Sequence, residues 1–189
     1  MINSELKDRL ITLFSPFVGF FCFIFLTSHY EVANKCSDNM RELAIALSVY
    51  ECDYQRLPVD AGNYVSLIFP YINDQYPHNR ENLFHCPNDS SQYKVPYNQN
   101  GDKLYLSYAF NTRMAGESKE TLLSSEHLAI PCLIEAEGAS AISAVRLHGI
   151  WEFDDDFSER AVRKAASRHL GGVTVAWPNG HIGQTIFVR

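Results

Sequence analysis

From Leu10 to Tyr30 the chain carries no acidic or basic side chain, counting His29 as neutral. The middle of this stretch, Ile11 to Thr27, reads ITLFSPFVGFFCFIFLT, with phenylalanine at 14, 17, 20, 21, 23 and 25. Wound into a helix, those rings fall on every face and leave no polar side for a small domain to show to water. Seventeen residues at 1.5 Å each reach about 26 Å, near the lower limit for crossing a bilayer, and the flanking turns extend the reach. We expect residues 10–30 to be a transmembrane helix, preceded by a short leader-like segment, 1–9. Lys7 and Arg9 suit the charged start of a signal peptide, but a small-x-small cleavage site is missing. Glu31-Val32-Ala33 puts Glu at the wrong place, and Leu26-Thr27-Ser28 has a bulky Leu. The expected segment is therefore an uncleaved anchor. Lys7 and Arg9 before it are balanced by Lys35 and Arg41 after it, so positive charge does not fix the orientation.

Beyond the apolar run the pattern becomes periodic. Tyr30 to Tyr54 reads as a helix, because Met40, Leu43, Leu47, Tyr50 and Tyr54 recur at spacings of three and four and form one apolar stripe. Pro58 ends it. This helix is expected to continue the anchor as one long rod, with its second half laid on the domain. Asn63 to Ile72 reads as a second, shorter helix interrupted by Pro70. Glu81 to Gly101 is rich in Asn, Asp, Pro and Tyr and reads as loop. Leu104 to Phe110 alternates as a strand does, and Leu128 to Ile134 is an apolar run suited to a central strand. Asp156-x-x-Glu159 matches a capping box, opening a helix to about Ser167. Gly171-Gly172 stops that helix. Val173 to Trp177 and Ile182 to Val188 read as strands around Pro178-Asn179-Gly180, a hairpin signal in which both Asn179 and Gly180 tolerate positive φ. The class is α+β, with one domain over 31–189.

Net charge and cysteine usage narrow the partners. The formal charge is −6, whereas nucleic-acid binders present clustered basic surface, so no nucleic-acid partner is expected. The phosphate-loop, dinucleotide and HExxH patterns are missing. Among Cys22, Cys36, Cys52, Cys86 and Cys132 no CxxC pair occurs, which argues against a structural zinc site of the usual spacing. Cys22 lies in the apolar run, and the other four can pair in three ways in an oxidising compartment. Cys36 and Cys52 lie about 24 Å apart along one predicted helix and cannot bridge if it is continuous. Cys86, at the start of a loop, and Cys132, in an apolar strand, both belong to the folded domain, and they are the pair expected to bridge.

Three stretches together resemble a bacterial family with a prepilin-like N terminus and a C-terminal His–nine residues–Asp-Gly motif. Leu43-Ala44-Ile45-Ala46-Leu47-Ser48-Val49-Tyr50 followed by Arg56-Leu57-Pro58 looks like the family's amphipathic helix and its "grLP" turn. Cys86-Pro87-Asn88-Asp89 followed by Ser107-Tyr108-Ala109-Phe110-Asn111 looks like "CPsD … SYgyN". Ser167-Arg168-His169-Leu170-Gly171-Gly172 with Asn179-Gly180-His181 looks like "SrHpGG … DGHv". The sequence departs from the family at Asn179, where the family has Asp, and at Leu10 and Ser15, where the prepilin-peptidase site has Gly and Glu. A buried carboxylate in the apolar helix would pair with a cationic neighbour, and Ser15 cannot. The resemblance implies a pilin-like fold: a long N-terminal helix packed on an antiparallel sheet. It also implies a domain outside the cytoplasmic membrane and other pseudopilin-like or envelope proteins as partners.

Candidate chemistry is sparse. His169 and His181 are the residues that would ligate a metal, but no third ligand has evident spacing. The plainer reading is that His181 starts a strand and that His169 anchors a turn by hydrogen bonds, tying the start of the strand to neighbouring backbone. His78, His85 and Cys86 form a looser cluster. Asp154, Asp155 and Asp156, with Glu152, are oxygen-rich enough for calcium, although a solvated loop leading into a helix explains them as simply. His169, Gly171, Gly172, Asn179, Gly180 and His181 are accordingly expected to be architectural. The expected function is that of a single-pass, pseudopilin-like protein acting by protein contact, with no catalysis and no required cofactor. An anchored ligand-binding domain is the first alternative. A metal-dependent hydrolase built on His169, His181 and the acidic loop is the second.

Overall fold

The computed structural model describes residues 31, 34–72, 80–122, 130–147, 150–169 and 171–186. The expected leader-like segment and transmembrane helix therefore lie outside the described residues. Among the described residues, no helix is long and apolar enough to cross a membrane.

Helix α1 covers 34–54. Cys36, Met40, Leu43, Leu47 and Tyr50 are buried along one face, as a spacing of three and four requires. Tyr54, expected at the end of that stripe, is instead exposed and stacks on Tyr50. The helix closes as Gln55 adopts a left-handed conformation (φ 57°), and Leu57-Pro58 follows. The expected second helix is split: α2 covers Tyr64–Ile68, flanked by 3₁₀ turns at Ala61–Asn63 and Phe69–Tyr71, the latter holding Pro70. Pro70 falls where the ring's missing N–H is tolerated.

The central sheet has strand order β5-β3-β4-β8-β9. Its members are β3 (Tyr108–Asn111), β4 (Leu133–Glu135), β5 (Ala141–Ile142), β8 (Gly172–Ala176) and β9 (Ile182–Ile186). The sheet is mixed and not wholly antiparallel, because the short β5 pairs parallel with β3. Two small antiparallel ribbons stand apart from it. One joins β1 (Lys94–Pro96) to β2 (Lys103–Tyr105), the other β6 (Ala144–Leu147) to β7 (Ile150–Phe153). The stretch read as loop from Glu81 thus contains a strand, and Leu104 to Phe110 divides into two strands.

Both faces of the sheet are covered. Tyr108, Phe110, Leu133 and Ala176 join the buried face of α1 in one core cluster. Ala109, Ile134, Val173 and Val175, the alternate residues, pack with α4 (Asp156–Arg168) in a second. All of β8 is buried, which is why its sequence is apolar on both faces and does not alternate. Asp155, and not Asp156, caps α4 by accepting from the Ser158 N–H. The C-terminal hairpin turns through Pro178-Asn179-Gly180, with Gly180 at φ 78°. Asn179 does not share that conformation; its Oδ1 accepts from the His181 N–H at 3.0 Å, an Asx turn.

Candidate functional site

Four separate segments meet at the end of the sheet. Cys36 lies on the buried face of α1, and Asn39, one turn on, donates its amide to the carbonyls of His85 (3.1 Å) and Asn82 (3.4 Å). Those bonds hold the 3₁₀ segment Arg80–Phe84 and the residues after it against the helix. Cys86 follows, its N–H donating to Ser107 Oγ at 2.9 Å. The Ser107 hydroxyl in turn donates to Asp89 at 2.6 Å. Glu135, the last residue of β4, accepts from the Thr174 N–H of β8 at 3.3 Å. His169 ends α4 and turns its ring inward.

The side chains converge closely. Cys36 Sγ lies 2.8 Å from Cys86 Sγ. Cys86 Sγ lies 3.3 Å from His169 Nε2, and that nitrogen lies 2.8 Å from Glu135 Oε1. One donor atom from each residue falls within 4.8 Å of all the others. Cys36, Cys86 and Glu135 are wholly buried. Arg168 closes the cluster from the side: its guanidinium lies 3.0 Å from Asp89 and 3.7 Å from both Glu135 and Glu137. Two carboxylates and a guanidinium are thereby desolvated together, an arrangement that is tolerable only because they are paired.

Charge within the cluster follows from these contacts. The hydrogen bond from Cys36 and burial both hold the Cys86 thiol well above its ordinary range. Burial opposes a charge on His169, but its bonds to Cys86 and Glu135 outweigh that and raise its pKa to about 9. Burial likewise pushes Asp89 upward, and Ser107, Ser91 and Arg168 together bring it below the usual carboxylate range. A protonated Cys86 is a poor nucleophile at neutral pH, since the thiolate is the reactive form. The donor set of two thiols, a carboxylate and an imidazole is one that zinc accepts.

The residues singled out from sequence are scattered. His169 belongs to the cluster and binds side chains, not neighbouring backbone as expected. His181 is exposed, its ring beside Trp177, so the two histidines share no site. Gly171 takes φ 92° after α4, and Gly172 opens β8. The expected Cys86–Cys132 bridge is not found: Cys86 faces Cys36, while the Cys132 thiol donates to the Ala176 carbonyl at 3.2 Å. All four described cysteines are free thiols. Asp154, Asp155 and Asp156 do not converge on one point, the cluster above being the metal-type group found among the described residues. Asp154 pairs with Arg113 and Ser143, and Asp155 is occupied in capping α4. His85 offers its carbonyl to Asn39 and its ring to Tyr105; His78 lies outside the described residues.

Cys36, Asp89, Glu135 and Arg168 were missed as site residues. A signal existed for two of them. Cys36 precedes Met40 by four positions and so shares the buried stripe, and Glu135 puts a charge directly after the apolar run ending at Ile134. No protein-family model, curated protein or solved structure matches this chain.

Proposed function

We propose that this chain is a membrane-anchored, pilin-like protein that acts through protein contacts outside the cytoplasm. The observation that carries the reading is the two-sided character of α1. One face is buried on the sheet, and in the sequence this helix comes shortly after the uncharged, phenylalanine-rich stretch 10–30. The outward face is not wholly polar: Ile45 is 52% and Val49 44% exposed. They border a shallow groove of about 270 Å³ shared with Arg41, Ala44, Ser48, Cys52 and Gly180. Apolar residues at i and i+4 on the free side of a helix suit packing against a neighbouring helix. Pilin-like or envelope proteins in the same membrane are the partners in this reading. The hydrolase alternative needed His169, His181 and the acidic loop together, and they lie apart.

The test is membrane fractionation of cells making the full chain, with a photo-crosslinking residue at position 45. The protein should resist alkaline extraction, lose that resistance when residues 10–30 are deleted, and crosslink to another envelope protein. Recovery of the full chain in the soluble cytoplasmic fraction would overturn the proposal.

A further inference from the structure

We propose that Cys36 and Cys86 become joined by a disulfide, clamping the helix that follows the anchor to the loop of the domain. The positions of the two residues are fixed independently of their sulfurs. Asn39 ties α1 to the carbonyls of Asn82 and His85, and Ser107 holds the Cys86 N–H. That scaffold leaves the sulfurs 2.8 Å apart, so they need close by only about 0.8 Å to reach the disulfide length of about 2.05 Å.

Proton bookkeeping favours the bond. Cys36 donates to Cys86. The other polar neighbour of Cys86 Sγ is His169 Nε2, whose hydrogen points to Glu135 at 2.8 Å. With both in place, the Cys86 thiol hydrogen has no acceptor among the described residues, and an unmet donor in a buried site is costly. Oxidation removes both S–H groups and leaves the His169–Glu135 bond untouched. The two thiols lose two protons and two electrons. A disulfide-bearing oxidant, a dithiol oxidoreductase or a small-molecule disulfide, takes them up and becomes two thiols. Because both thiols are wholly buried in the folded protein, exchange belongs to the stage before α1 docks.

Zinc is the competing occupant, and two observations weigh against it. Two thiolates on tetrahedral zinc, with Zn–S about 2.3 Å, stand about 3.8 Å apart, so these sulfurs would have to part by about 1 Å within a packed core. Finally, two thiolates, Glu135 and Asp89 carry four negative charges against a zinc ion and Arg168, leaving the cluster one charge short. With the disulfide, Glu135 and Asp89 are balanced by Arg168 and a protonated His169.

The inference rests on the extracytoplasmic reading above, since disulfides persist in oxidising compartments. One experiment separates the two claims, because the exposed Cys52 reports the compartment. Intact cells are treated with a membrane-impermeant maleimide. The full chain is then unfolded with a second thiol reagent, and finally reduced and treated with a third, before peptide mapping. We expect the first tag on Cys52, the second on Cys132 and the third on both Cys36 and Cys86, which appear as one linked peptide before reduction. If Cys36 and Cys86 take the second tag, the disulfide proposal is wrong, whatever Cys52 shows. Zinc recovered with two such free thiols would assign the site to the metal. If Cys52 escapes the first tag in intact cells but takes it in the same membranes after lysis, while the linked peptide is found, the disulfide stands and the extracytoplasmic reading falls.

Discussion

Arg168 reaches Asp89 across the buried cluster, nitrogen to oxygen at 3.0 Å, with both side chains almost wholly out of solvent. The same guanidinium also lies 3.7 Å from Glu135. One cation thus serves two buried carboxylates that come from a loop and a strand end. Its removal leaves Asp89 without a countercharge and Glu135 with His169 alone. Arg168→Met should destabilise the protein by about 3–5 kcal/mol, the usual result of breaking one side of a buried pair. Arg168→Lys keeps the charge but loses the planar fork and should cost less. Denaturant unfolding of the purified full chain in detergent gives both values, and equal losses for the two variants would show that packing, not charge, is what Arg168 supplies.

His169 predicts a pH dependence with a definite sign. Its folded pKa is raised to about 9 from an ordinary 6.5, so the folded state binds its proton more tightly than the unfolded chain does. That contribution is complete below about pH 6.5 and is lost as pH rises through about 9. Melting temperature should therefore fall between those values and do so less steeply in His169→Gln. Oxidation of Cys86 removes one of the two raising contacts and narrows the window from above, while Glu135 preserves the sign. A wild-type melting profile that rises over this range would contradict the assignment.

Much of this architecture was legible because local rules carry it. The stripe from Met40 to Tyr50 specified a helix with one buried face, and Gly180 specified the C-terminal turn. The misreadings have physical causes. Strand β5 is two residues long and pairs in parallel with β3, so no local pattern announces it. Glu81 to Gly101 looked like loop because its strand is three residues long and ends in proline. The cluster itself was the least legible part, because Cys36, Cys86, Glu135 and His169 come from four segments and only the tertiary fold brings them together. Choosing Cys132 as the partner of Cys86 failed for the same reason: two cysteines in the folded core need not share a face, and Cys132 turns to Ala176.

The start of α4 supplies a local test. Asp155 accepts from the backbone N–H and the hydroxyl of Ser158, whereas Asp156 lies one position inside the helix. Asp155→Ala should cost about 0.5–2 kcal/mol, the range for losing an N-cap. Asp156→Ala removes only a favourable charge from the first turn and should cost about 0.3–1 kcal/mol. The order of the two losses, measured by denaturant unfolding, decides which aspartate is the cap.

The C-terminal turn supplies the sharpest test of the view that the His–nine residues–Asn-Gly spacing is architectural. Gly180 has φ 78°, and a Cβ added there would meet nothing within 4 Å. The demand for glycine at this position is therefore one of backbone conformation and not of space. Gly180→Val should destabilise by about 1–3 kcal/mol, because a β-branched residue resists the left-handed region. Gly180→Asn should be much milder, since asparagine visits that region most readily among side-chain-bearing residues. Asn179, which is not at positive φ, contributes through its bond to the His181 N–H, and Asn179→Ala should cost about 0.5–1.5 kcal/mol. Thermal melting of the full chain orders the three. If Gly180→Asn is as damaging as Gly180→Val, backbone strain is not the reason for glycine here, and the requirement lies instead in the groove that Gly180 shares with Ile45 and Val49.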